Sequence, residues 1–227
     1  MAARADTPEL SEAVQDYAKA IWTLAERSGE AVPTSALAER LGVSPASVSA
    51  MCTRLETLGL ATREPYHGVE LTPAGKRVAL EVVRHHRLLE LYLAEALGMP
   101  WDRVHEEAEV LEHAISPALS ELIAEKLGHP THDPHGDPIP SPDGEIDDAP
   151  SRPLAELEDG ERGVFSRVSD SNPDMLRYLS SRGIERGAEL EVVGREPFGG
   201  PLTVRAGGTE HPLGTQLARA MRVLPRE

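Results

Sequence analysis

Along the first third of the chain, apolar residues return at helical spacing in short blocks. "SEAVQDYAKAIWTLAERSG" has Ser11 as an N-cap, an apolar stripe and Gly29 as its stop, which predicts one helix. "PTSALAERLGVSPASVSAMCTRLETLGLA" predicts two more, joined at "GVSP". The period then changes, and "TREPYHGVELTPAGKR" reads as a short hairpin turning near "YHGV". Helix, helix–turn–helix and hairpin in this order predict a winged helix–turn–helix over residues 1–77.

From about residue 76 the helical period resumes. "GKRVALEVVRHHRLLELYLAEALG" predicts one long amphipathic helix, and "DRVHEEAEVLEHAISPALSELIAEKLG" a long helix pair. These stripes need an apolar partner, and a second copy of the chain supplies one, so residues 78–140 are expected to form a helical domain that dimerises. Residues 129–157, rich in Pro, Asp and Gly, break the pattern and read as a linker, placed at 141–157. Beyond it "GVFSRV", "ELEVVGRE", "PLTVRAGG" and "MRVLP" predict strands, and "NPDMLRYLSSRG" a capped helix. Residues 158–227 are expected to form a small, partly open β-barrel. The fold class is thus mainly α with a small β domain.

Composition modifies this picture in two places. Cys52 is the only cysteine, which excludes an internal disulfide framework and fits a reducing cytoplasm. "MAARADTPEL" lacks the apolar core of a signal peptide, and no apolar run has the length to cross a bilayer, so no membrane partner is expected. The net charge of −15 argues against nucleic acid until it is located. Residues 1–77 hold 8 Lys/Arg against 10 Asp/Glu, about −2, so the acidity lies mostly beyond them.

Within the helix–turn–helix, Ala36, Leu37 and Leu41 face inward on the first helix and Val48, Cys52 and Leu55 on the second, with Gly42 at the turn. The outward residues of the second helix are Ser44, Ser47, Ser49, Ala50 and Arg54, and Thr34 opens the first. Small hydrogen-bonding side chains suit close approach to a groove, and Arg54 suits a phosphate. A plain helical hairpin would serve a core equally well, but a wing following at the right place favours DNA.

The candidate chemistry lies in "VHEEAEVLEH". If helical throughout, His105, Glu109, Glu112 and His113 share one face. "VVRHHRLLELYL" adds His86 and Glu90 one turn apart, and Asp16 stands on the first helix. Each alone reads as solvated helix charge; their concentration on three helices points to a metal. The tract "HPTHDPHGDP" resembles a histidine cluster, yet its Pro and Gly fit an irregular loop, and no site is expected there. Neither HExxH nor HxxEH is present, nor a nucleophile elbow or phosphate loop, so an enzyme is not expected.

These residues, in this order, resemble the diphtheria toxin repressor family of metal-dependent transcriptional regulators over essentially the whole chain. The resemblance rests on the winged helix, "HHRLLE", "VHEEAEVLEH", "DPHGDPIP", "GAELEVV" and "PFGGPLTVR". It implies an SH3-like (FeoA-like) last domain. It implies a primary metal site of Asp16, Glu109, Glu112 and His113, and an ancillary site of His86, Glu90 and His105; in the manganese branch His86 also lies close to the primary site. The family's C-terminal ligand positions fall near Asn172 and Met175, poor replacements for a carboxylate and an amide. Of the adjacent acids Asp170 and Asp174, Asp174 is the expected ligand. Where the family's recognition helix has a proline and a glutamine, this chain has Ala46 and Ala50, so an operator sequence does not carry over.

The resulting expectation is a homodimeric, cytoplasmic repressor of metal-homeostasis genes such as uptake transporters, acting on a palindromic double-stranded operator. Iron-sensing relatives place Met and Cys at the positions of Asp16 and Glu109. The two carboxylates here favour the harder Mn²⁺, with Fe²⁺ as the alternative. An iron-dependent regulator of the same family, a metal-buffering protein and a regulator sensing an organic ligand are the competing readings.

Overall fold

A computed structural model describes residues 10–64, 67–147 and 149–226. The chain forms two compact units. One ends at His85 and takes in Pro140–Glu145; the other comprises His86–Ile139 and the chain from Ile146 onward.

In the first unit, α1 (Glu12–Ser28) starts at Ser11 and stops at Gly29, whose left-handed backbone returns its N–H to Ala25. Ser11 caps by its extended backbone alone, without a side-chain hydrogen bond. Helix α2 (Thr34–Leu41) ends on the left-handed Gly42, and α3 (Pro45–Thr57) begins under Ser44, whose side chain accepts from the Ser47 N–H. Leu37, Val48, Cys52 and Leu55 are fully buried with Val14 and Ile21, while Ala36 and Leu41 pack at the edge of that core. Burial raises the Cys52 thiol pKa, as fits a core residue. Strands β1 (Ala61–Glu64) and β2 (Gly68–Leu71) pair antiparallel, and Val32 bridges Val69. Residues 65 and 66 at the tip of the expected "YHGV" turn lie outside the described residues.

Helix α4 (Pro73–Leu97) is the long helix expected from the period. Its second half belongs to the second unit, where Leu88, Leu89 and Leu91 pack with Ala108, Ile123, Ala124 and Ile139. The expected helix pair is α5 (Val104–Leu111) and α6 (Pro117–Lys126), the latter capped by Ser116. Six antiparallel strands follow, in the order β3-β8-β4-β5-β6-β7: β3 (Arg152–Pro153), β4 (Arg162–Val168), β5 (Glu189–Arg195), β6 (Leu202–Ala206), β7 (Thr209–Leu213) and β8 (Met221–Arg226). Helices α7 (Pro173–Ser181) and α8 (Thr215–Ala220) are inserted among them. Phe165, Leu176, Leu179, Ile184, Leu190 and Leu213 fill the core of this SH3-like sheet domain. Among the described residues, no helix is long and apolar enough to cross a membrane.

The linker expected between 129 and 157 is largely folded. Strand β3 starts at Arg152, and Leu154 and Leu157 are in the β core. Upstream, Asp133 Oδ1 accepts from the N–H groups of His135 and Asp137, each at 2.9 Å, closing a tight loop. Val168 donates its N–H to the His135 carbonyl at 2.9 Å, tying the loop to the end of β4. Pro, Asp and Gly here build a fixed turn, because their side chains and dihedrals satisfy the backbone without regular structure. Gly136 is the residue that permits it: its φ is +93°, and an added Cβ would stand 1.9 Å from the Ser166 carbonyl oxygen.

Gly136→Ala is therefore expected to destabilise the chain by at least about 2 kcal/mol. Gly208→Ala, also at positive φ but with nothing within 4 Å, is expected to cost only about 1–2 kcal/mol. Urea unfolding of the two variants checks the difference; equal losses would mean that the close approach to β4 has no energetic weight.

Candidate metal centre and DNA-binding face

The second unit brings donors from three segments onto one carboxylate. Glu90 on α4 is fully buried, an unfavourable place for a charge unless it is compensated. His86, one turn earlier, sets Nε2 3.0 Å from Glu90 Oε1. His105 on α5 sets Nδ1 3.2 Å from the same oxygen, and 3.1 Å from His86 Nε2. Asp170, just after β4, places Oδ2 3.1 Å from His105 Nδ1. His86, Glu90, His105 and Asp170 thus offer two nitrogens and two oxygens that all lie within 4.8 Å of one another.

A second group shares the other oxygen of Glu90. His135 Nδ1 lies 3.7 Å from Glu90 Oε2, too far for a hydrogen bond, and neither atom has a hydrogen-bond partner among the described residues. Both residues are fully buried, and Asp133 completes the group. Two orphaned buried donor atoms facing each other across such a gap fit a cation between them.

On the other side of His86, Nδ1 lies 2.5 Å from Glu112 Oε2 and 3.8 Å from Glu109 Oε1. His113 Nε2 is 3.4 Å from Glu112 Oε1. The single helical face expected to carry these residues ends early. Helix α5 stops at Leu111, Glu112 is its C-cap, and His113 lies in the following turn. Glu112 keeps helical dihedrals and its N–H still bonds to the Ala108 carbonyl, and its side chain is only 1% exposed, while Glu109 stays on the helix surface. Asp16 is on α1 of the first unit, half-buried.

Asp174 does not join the group. It is exposed in the first turn of α7 and pairs with Arg177 at 2.6 Å, while Asp170 supplies the carboxylate beside His105. Asp174 begins a helix whose cap is Asn172, so its side chain projects to solvent; Asp170 precedes that cap. The "HPTHDPHGDP" tract was expected to carry no site, yet His135 and Asp133 from it are buried at Glu90. Fused to a Pro/Gly loop, they lack any periodic signal. The one available cue is that an Asp two residues before a His, followed by Gly, favours a tight turn that buries both.

The electrostatics follow from this crowding. Burial alone would raise the Glu90 pKa, but the charge of His86 and the close approach of the His105, His135 and His86 imidazoles hold it well below the carboxylate range. Burial opposes charge on His105, yet Asp170 and Glu90 raise its pKa to about 10. His135 is raised to about 9, Glu90 outweighing burial, and Asp170 is lowered to about 2 by His105 against its own burial. Burial also raises Asp133 and Asp137; repulsion from Asp137 adds to it at Asp133, while Arg87 and Arg167 counter it at Asp137.

In the first unit, Ser44, Ser47, Ser49, Ala50 and Arg54 are all exposed on α3 or its cap, and Thr34 is half-buried at the start of α2. Ser44 and Ser47 hydroxyls are 2.9 Å apart, so the cap is part of the polar face. Arg63 on β1 was not singled out from the sequence. Its guanidinium lies 3.5 Å from Ser49 Oγ and 3.7 Å from Glu56, which adds a cation to the same face. Only strand pairing brings it there.

Comparison with known proteins gives a consistent result. Residues 9–69 match the model of the iron dependent repressor N-terminal DNA binding domain. Residues 72–141 match its metal binding and dimerisation domain, and residues 152–225 match the FeoA domain. The chain is 32% identical to the iron-dependent repressor IdeR of Mycobacterium tuberculosis over 228 residues, covering 95% of this chain and 98% of that protein. It is 32% identical to the diphtheria toxin repressor of Corynebacterium efficiens, covering 95% and 96%. A solved structure of a manganese-dependent transcriptional repressor in complex with manganese superposes with a TM-score of 0.87 at 45% identity, covering 94% of this chain and 100% of that one.

The His105–Asp170 pair makes stability depend on pH when a chelator keeps metal away. His105 rises from 6.5 to about 10, so its contribution is complete below pH 6.5 and lost as pH climbs through about 10. Asp170 falls from 3.8 to about 2, so its contribution is complete above pH 3.8 and lost as pH drops through about 2. Chelated protein is expected to be most stable between these limits, and His105→Gln to flatten the alkaline limb. Thermal unfolding across pH checks this; an unchanged alkaline limb in the variant would refute the assignment.

Proposed function

The chain belongs to the diphtheria toxin repressor family of metal-dependent transcriptional repressors, and we propose that Mn²⁺ is the ion that activates it. The chain is a metal-dependent, DNA-binding transcriptional repressor; the ion, the ligands and the targets are the proposal. The observation that carries it is the buried donor set around Glu90, with Glu90 Oε2 and His135 Nδ1 left without hydrogen-bond partners among the described residues. A bound divalent cation supplies the positive charge that lets these carboxylates and neutral imidazoles lie together.

Two ligand groups are assigned. One is Glu109, Glu112 and His113 with Asp16, the last entering from the family pattern alone. The other is centred on Glu90, with His86, His105, Asp170, Asp133 and His135 around it. Every donor is a carboxylate oxygen or an imidazole nitrogen, and the one cysteine is fully buried in the core of the first unit. Hard donors of this kind suit Mn²⁺. The manganese complex among the similar structures supports this choice. The iron-dependent relatives at 32% identity favour Fe²⁺ as the second reading.

The DNA-binding residues are assigned as Thr34, Ser44, Ser47, Ser49, Ala50 and Arg54, on a palindromic operator bound by a homodimer. Exposed Val110, Leu119 and Leu122 on α5 and α6, at 74%, 45% and 60%, support an apolar self-association surface on the second unit. The regulated genes are those of metal homeostasis, in the cytoplasm, and no enzymatic step is assigned. A metal that favours the DNA-competent arrangement is in turn bound more tightly by the DNA-bound protein, because the coupling is reciprocal.

Promoter DNA of the chain's own gene is expected to shift with Mn²⁺ and to lose roughly tenfold or more of that affinity in chelator. Affinity should also fall with salt, at about 0.9 log units per log unit of salt for each phosphate contacted. Equal affinity with chelator and with Mn²⁺ would sink metal activation.

Asp16→Met with Glu109→Cys replaces two hard donors by sulfur. The double variant is expected to need at least about tenfold more Mn²⁺ for DNA binding, while its Fe²⁺ response changes less. An unaltered Mn²⁺ response would remove both residues from the ligand set.

A further inference from the structure

We propose that Trp101 is a positioning residue that fixes the ring of His135 and ties the Glu90–Asp133–His135 group to the β core of the second unit. The inference rests on the reading of His135 as a metal ligand. Trp101 lies in the segment between α4 and α5, outside the periodic blocks of the sequence. It touches His135 in two ways. Its carbonyl oxygen lies 2.7 Å from His135 Nε2, and its indole stacks on the imidazole with centroids 5.9 Å apart at 21°.

The first contact decides the tautomer. A lone pair on Nε2 would face the lone pairs of a carbonyl at 2.7 Å, so Nε2 carries the hydrogen and donates it. In the neutral ring the free lone pair is then on Nδ1, the atom that faces Glu90 Oε2 across 3.7 Å. A backbone carbonyl orienting the remote nitrogen of a metal-binding histidine is a general way of raising ligand basicity.

The second contact limits how far the ring can swing, and the indole is itself anchored. Its Nε1–H donates to Ser180 Oγ on α7 at 2.7 Å, and its body packs against the β-domain core. Next to it, Asp102 Oδ2 accepts from Arg177 on the same helix at 3.1 Å. Helix α7 therefore reaches His135 through one side chain. The segment 101–102 is fastened to the β domain, and the orientation of a buried donor depends on that fastening.

The test uses the full chain carrying Trp22→Phe, which leaves Trp101 as the only indole. Free Mn²⁺ is followed by electron paramagnetic resonance and Trp101 by its emission. Paramagnetic Mn²⁺ is expected to quench Trp101 in step with one class of sites, and His135→Ala to abolish that class. Trp101→Leu is expected to weaken the same class roughly tenfold or more and to spare the other, while Trp101→Phe, which keeps a stacked ring, recovers most of the affinity. Ser180→Ala, which frees the indole without opening the core, is expected to weaken that class a few-fold and serves where the leucine variant does not fold. Unchanged affinity in Trp101→Leu or Ser180→Ala, or a phenylalanine variant as weak as the leucine one, overturns the inference. If His135→Ala keeps the full Mn²⁺ complement, the ligand reading fails instead.

Discussion

The second unit is organised around a carboxylate that water does not reach. Glu90 sits fully buried on α4, and removing a lone carboxylate from water costs several kcal/mol even after relaxation. Three imidazoles offset that cost, and they come from different parts of the chain: His86 from the same helix, His105 from α5 and His135 from the loop before Pro140. The burial of one charge thus requires three segments to close on it. The same set of groups has two ways to balance charge. Protons on the imidazoles do so when no cation is present, and a divalent ion does so when the protons leave. This is why donors of a metal site can lie together as a compact, compensated cluster.

The loop that supplies His135 solves a related problem. Asp133 uses one oxygen to cap the N–H groups of His135 and Asp137, and its other oxygen faces Arg87 Nε at 4.0 Å. Asp137 is held by Arg167 at 2.6 Å and by Arg87 at 3.7 Å. Arg87 also donates to the Pro138 carbonyl. Two arginines and a turn of backbone amides therefore keep two buried aspartates in place beside Glu90. Without that anchoring, like charges at this density would push the loop away from α4.

Residues with a period were the ones that could be read in advance. The blocks at helical spacing gave α1 to α4 with their stops at Gly29 and Gly42, and alternation with turn residues located β4, β5, β6 and β8, but not β7. His86 and Glu90, one turn apart, were legible for the same reason. What escaped was set by non-periodic backbone. The end of α5 at Leu111 puts His113 into a turn, off the continuous helical face that the spacing suggests. The Asx turn at Asp133 converts a tract with linker composition into a buried corner. Asp170 rather than Asp174 lies beside His105 because it precedes the α7 cap at Asn172, in a loop that carries no periodic signal. Trp101 gave no signal, since a tryptophan near a helix start is ordinarily core.

The DNA face has a related economy of charge. A recognition helix lined with Lys and Arg would hold any duplex through its phosphates, whatever the state of the metal site. Here α3 presents serines and alanine, with Arg54 on the helix and Arg63 on the wing as the nearby cations. The rest of the chain brings the formal charge to −15, which opposes nonspecific attachment to a polyanion. With few cations on that face, a modest coupling is enough to matter. Allosteric couplings are typically 5–150-fold, or about 1–3 kcal/mol. Such a factor would be lost beneath strong electrostatic binding, but on a nearly neutral face it separates a bound repressor from a free one.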